Sequence, residues 1–118
     1  MRIINFLFAI TLCVISTKLF AQDKQDEIIA VWDTGEHKVE IYKVNESFIG
    51  NPINPEGERN QEFEILNLKY KKGEWVGVIY SKKRNKSLDV VCLVKEDKLL
   101  LEVKARYISR NLAWTRVN

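Results

Sequence analysis

The sequence predicts an all-β fold, a small antiparallel up-and-down barrel of about eight strands. Three observations point there. From Ile28 to Val117 apolar residues recur at alternate positions in short runs, the period of half-buried strands. The runs are separated by brief polar turns rather than by the long crossovers that parallel strands need. The last run, "LAWTRVN", is as apolar and aromatic as an interior strand. A closed meander requires this, because its final strand pairs with its first and leaves no exposed edge.

Residues 1–21, "MRIINFLFAITLCVISTKLFA", come first. They carry Arg2, an apolar run from Phe6 to Ile15, no acid, and Ala21 before a polar segment. This is the layout of a cleavable signal peptide, with an apolar run too short to span a bilayer. Leu19 stands where a small residue is preferred. Cys13, between Leu12 and Val14, lacks the small-residue context of a lipoprotein anchor. The expected product is periplasmic or secreted, with no stable membrane anchor after cleavage. Of the net charge of +3, the leader removes Arg2 and Lys18, so the remaining domain is close to neutral. That balance gives no footprint for nucleic acid. Only Cys92 is left after cleavage, so no internal disulfide is expected and the core alone must hold the fold.

Residues 22–27 read as a polar linker and 28–118 as one domain. "IIAVWDT" (28–34) is the first strand. "HKVEIYKV" (37–44) follows, with Val39 and Ile41 on one face and Lys38 and Glu40 on the other. After Asn45-Glu46 comes a short strand, "SFIG" (47–50). Residues 51–61, with two prolines, a glycine and no apolar period, predict the longest loop. In "EFEILNLKYK" (62–71) the apolar parity shifts from Phe63 and Ile65 to Leu66, Leu68 and Tyr70, which predicts a bulge near Leu66-Asn67. Turns at 72–74, 82–86 and 96–98 set off strands over 75–81, 87–95 and 99–107. In the last of these Leu99, Leu101, Val103, Ala105 and Tyr107 are expected to face in. The closing strand is expected over 112–117. About eight strands is the number at which a barrel interior either fills with side chains or holds one small ligand.

The chemistry-bearing residues favour binding over catalysis. His37 is the only histidine and sits beside a turn, and Cys92 lies in the apolar "LDVVCLV", where a cysteine behaves as a small hydrophobe with a raised pKa. These with scattered carboxylates make no metal set, and no cofactor or enzymatic activity is expected. Tyr42, Trp75, Tyr80 and Tyr107 combine apolar bodies with polar tips, which suits a small apolar or amphipathic ligand. The alternative is a fully packed barrel that meets an envelope protein partner through its outer face. Glu56, Glu58 and Arg59 in the long loop read either as a polar lid at the barrel mouth or as a solvated connection. The run Lys82–Lys86 suits either an anionic lipid surface or an edge-blunting turn. Trp114 and Arg116 share one face of the closing strand.

"IIAVWDTGEHKVEIYKV", "GEWVGVIYS" and "AWTRV" together resemble the bacterial exported family called domain of unknown function 2147, over Ile28 to Val117. The chain departs from that pattern at Ala30 and Val31, where a glycine is usual nearby, and at 81–88, where the family favours an Asp-Pro turn. The resemblance implies export and a barrel and assigns no chemistry. A weaker likeness is to lipocalin-like barrels, in which a tryptophan of the first strand is packed by a basic residue of the last. Trp32 and Arg116 match those parts. A guanidinium stacked on the indole there contributes on the order of 1–2 kcal/mol to closure. Otherwise Trp32 is simply core and Arg116 faces solvent.

Overall fold

A computed structural model describes residues 24–117; the expected signal peptide at 1–21 lies outside the described residues. Eight strands follow one another: β1 Ala30–Asp33, β2 Lys38–Val44, β3 Ser47–Ile53, β4 Leu66–Lys71, β5 Glu74–Ser81, β6 Lys86–Lys95, β7 Lys98–Lys104 and β8 Ser109–Arg116. Each pairs antiparallel with its chain neighbour, and β8 returns to β1 to close a barrel. Turn chemistry fixes the registers. Lys72 and Gly73 both take positive φ (49° and 88°), the two-residue turn whose twist matches that of the strands it joins. Asn45 and Asn85 supply left-handed residues in the turns after β2 and β5, at φ 57° and 53°.

Several strand limits differ from the sequence reading, and β1 starts at Ala30 rather than at Ile28, which belongs to the preceding turn. β3 continues past Gly50 to Ile53 and takes three residues from the expected loop. Pro52 is tolerated because its carbonyl faces the loop, accepting from the Asn60 N–H at 2.9 Å. Its missing donor faces the same way, beyond the end of the β3–β4 pairing at Gly50–Leu66. β4 begins at Leu66 rather than at Glu62. Ile65 and Leu66 are both buried and both meet Gly50, Leu66 in register and Ile65 through its N–H to the Gly50 carbonyl at 2.8 Å. The parity shift is thus a bulge at Ile65–Leu66, one residue before the expected position. β7 stops at Lys104, and a turn closed by the Ala105 N–H on the Ile108 carbonyl turns Tyr107 outward, 87% exposed. β8 starts at Ser109 and therefore brings Arg110 into the sheet.

The inward residues form one apolar core. Trp32, Val39, Phe48, Leu66, Leu68, Val90, Cys92 and Leu99 are fully enclosed. β5 bends so tightly over β4 that a Cβ at Gly77 would collide with the Asn67 carbonyl and stand 2.9 Å from the Leu68 Cα.

The expected linker ends in a 3₁₀ turn, Asp26–Ile28, packed across one end of the barrel. The turn and its N-cap offer carbonyls to three strands. Trp32 Nε1 donates to Ile28 O at 3.0 Å, Trp75 Nε1 to Gln25 O at 3.2 Å, and Arg116 Nη2 to Glu27 O at 3.1 Å. Arg116 is opposite Trp32 in register, its Cζ 4.6 Å from the indole centroid. The guanidinium therefore lies over the tryptophan at the seam, with its outer nitrogen bound to backbone.

Replacing Arg116 with Met removes both contacts while keeping most of the side-chain bulk. It is expected to lower unfolding free energy by about 1–2 kcal/mol in urea titration, with Arg116→Lys recovering only part because a point charge cannot stack and reach Glu27 together. Gly77→Ala is expected to cost about 2–3 kcal/mol by the same measurement, since backbone rather than a movable side chain occupies the space.

Candidate functional site

The two ends of the barrel are unlike. The end with turns Asn45-Glu46, Lys72-Gly73 and Glu96-Asp97 is shut by Gln25–Ile28, with Trp32 and Trp75 packed beneath. At the other end the inward positions are aliphatic or small: Pro52 on β3, Leu88 on β6, Val103 on β7, Ala105 just past it and Leu112 on β8. Two adjoining hollows open there, of about 580 and about 510 Å³, sharing Ile79, Tyr80 and Leu112. The first reaches down to Trp114 and has Glu36, His37, Asn60 and Lys82 at its rim. The second is walled by Leu88, Val103, Ala105 and Ile108, with Ser81, Lys83, Arg84 and Arg110 at its rim.

The four expected ligand-binding aromatics are dispersed. Tyr80 alone lines the hollows; its hydroxyl donates to Asn85 Oδ1 at 2.5 Å and its ring meets Phe63 edge-on at 5.2 Å. Tyr42 is on the outer wall, two residues from Glu40 and under Arg59, because strand parity places it opposite to Val39 and Ile41. Trp75 is buried at the closed end against Tyr70, with ring centroids 5.0 Å apart. Tyr107 sits on the exposed β7–β8 turn, not in a wall. Of the residues expected at the barrel closure, Trp32 and Arg116 form the stacked seam and Trp114 is the floor of the first hollow.

The long loop is strapped to the outer wall. Arg59 lies 3.6 Å from the Tyr42 ring centroid, and its Nε donates to Glu40 Oε1 at 2.6 Å. Buried Asn51 ties the loop further, accepting from the Tyr42 hydroxyl at 2.6 Å and donating to the Phe63 carbonyl at 2.8 Å. Glu56 and Glu58 stay exposed, and the loop reaches the mouth through Asn60, Phe63 and Ile65.

Two ion pairs occur among the described residues, Arg59–Glu40 and Lys43–Asp26, and neither lies at the second hollow. Lys83, Arg84 and Arg110 have no carboxylate partner there. A closing strand that starts at Leu112 leaves Arg110 outside the sheet, whereas β8 starts at Ser109. Continued back two residues, the same parity places Arg110, Leu112, Trp114 and Arg116 on one face.

Nucleophilic chemistry has little purchase on the remaining groups. Cys92 is buried in the core, and desolvation pushes its thiol up to about 12 from an ordinary 9.0. His37 is exposed at the rim of the first hollow. Among the described residues no three His, Cys, Asp or Glu side chains converge to hold a metal ion. The chain matches no family model, no curated protein and no solved structure.

The Cys92 shift has a definite sign. Between about pH 9 and 12 the folded chain keeps a proton that the unfolded chain has lost, so this residue's contribution to stability falls as pH rises through that window. Urea titrations across that range are expected to show a steeper alkaline loss for the parent protein than for Cys92→Ala. At pH 8 the thiol is expected to resist an aromatic disulfide reagent until the protein is unfolded.

Proposed function

We propose that this chain is a small exported, lipocalin-like barrel that binds a small apolar or amphipathic molecule at its open end and does no chemistry on it. The hollow mouth carries the reading. Its walls are apolar, aliphatic in the second hollow and joined by Phe63, Tyr80 and Trp114 in the first, its rim is polar, and its two halves join at Ile79, Tyr80 and Leu112. Pockets of this size and lining hold small ligands. Export is inferred from the character of residues 1–21, and kinship with domain of unknown function 2147 from the stretches at 28–44, 73–81 and 113–117.

A second reading is supported by the outer wall. Leu93, Leu100 and Ala113 stand abreast in register across β6, β7 and β8, and all three are exposed. Such a strip suits a protein partner in the envelope. In that case the hollow is incidental.

Mass spectrometry of small molecules released from natively purified protein separates the two. The binding reading expects a recurrent apolar or amphipathic species, lost in Leu112→Trp, whose larger side chain intrudes on both halves of the mouth. Nile red fluorescence provides an independent measure: enhancement by the parent protein and at least a fivefold weaker response from Leu112→Trp, at an unchanged circular dichroism spectrum. A parent protein that neither carries a species nor binds the dye favours the partner reading.

A further inference from the structure

The two halves of the mouth differ in charge. The first has both signs at its rim, Glu36 opposing Lys82, with His37 beside them. The second has Lys83, Arg84 and Arg110 and no acid among its lining residues. Arg110 is built into the wall as well as the rim. It pairs in register with buried Val103 and so shares the inward face of β8 with Leu112. Arg84 reaches the same hollow from the β5–β6 turn, whose backbone is held by the Arg84 N–H on Ser81 Oγ at 3.4 Å. Neither guanidinium forms an ion pair among the described residues. Below them the surface is aliphatic, formed by Leu88, Val103, Ala105 and Leu112.

We infer that the second hollow selects amphiphiles with an anionic head group, the alkyl chain lying against Leu88, Val103 and Leu112 and the head group held at the rim by Arg110 and Arg84. This rests on the binding reading above and narrows it to one class of ligand. Carboxylate, sulfate and phosphate esters all present acceptor oxygens that a guanidinium fork takes in charge-assisted pairs. An unpaired cation beside an apolar wall also disfavours a cationic head group and offers a neutral one weaker hydrogen bonds than it offers an anion. Lys83 adds positive potential at the entrance, which draws anions in and is screened by salt.

The test compares dodecanoate with dodecanol, both below their aggregation limits, as competitors of Nile red on the full protein in low salt. Dodecanoate is expected to bind at least about tenfold more tightly. The preference is expected to vanish in the double variant Arg84→Gln/Arg110→Gln and largely to persist in Arg84→Lys/Arg110→Lys. Arg106→Gln, a cation of the neighbouring turn outside the hollow, serves as the control and leaves it unchanged. Equal affinity for the two competitors in the parent protein, or a preference that survives the double glutamine variant, overturns the inference while the hollow remains a binding site. A bound dye that neither competitor displaces overturns the inference alone, and a parent protein that binds neither the dye nor either competitor overturns the binding reading with it. All three positions are exposed, so the variants are expected to keep the parent's melting temperature.

Discussion

Three backbone carbonyls, those of Gln25, Glu27 and Ile28, hold the closed end of this barrel together. Each accepts from a side chain on a different strand: an indole from β5, a guanidinium from β8, an indole from β1. A short turn leaves its carbonyls without internal partners, and buried tryptophans carry an N–H that needs one. Each set of orphans satisfies the other. The outcome is a plug attached to both sides of the seam and to the wall opposite it, and the arrangement of the core follows from it. With Trp32 and Trp75 committed to that end, two of the three tryptophans are spent there, and Trp114 is left as the floor of a hollow walled largely by smaller apolar residues.

This asymmetry explains why one chain can have both a packed and a hollow interior. The choice between a filled and a hollow interior, usually framed for a whole barrel, is here made separately at each end. It is made by where the tryptophans fall along the strands rather than by how many there are. The long loop takes no part in the plug. Its Arg59 is occupied by Tyr42 and Glu40 on the outside, so the mouth is left uncovered over the second hollow.

Much of the fold was legible because alternation is a local property. The strand count and, to within a residue, the bulge before β4 could be read from parity, the meander order from the brevity of the turns, and the closing role of "AWTRV" from its apolar and aromatic character. What could not be read depends on partners far along the chain. Asn51 looks like a loop residue, and only the Tyr42 hydroxyl and the Phe63 carbonyl make it a buried strand residue. Gln25–Glu27 looks like a linker and Ile28 like the start of a strand, because a carbonyl that caps a barrel has no signature in the sequence. The site was harder still. Tyrosines were favoured as pocket residues for their amphipathic chemistry, yet parity placed Tyr42 on the outer wall and a tight turn carried Tyr107 into solvent. The mouth is instead lined by ordinary aliphatics, which any strand contains, and by arginines that read as surface charge until the strand bearing Arg110 is given its full length.

The seam is narrow. β1 meets β8 only through Trp32–Arg116 and Asp33–Thr115, with the Val117 N–H on the Val31 carbonyl beside them, whereas β7 follows β8 from Lys98–Thr115 to Lys104–Ser109. Partial opening of a fold begins where the fewest backbone bonds must be broken together. Here that place is also the join between residues far apart in the chain, which is slow to find again once lost. The stacked guanidinium is thus a latch on the motion of the whole barrel: it sets how often the wall parts along one line, at the end opposite the mouth.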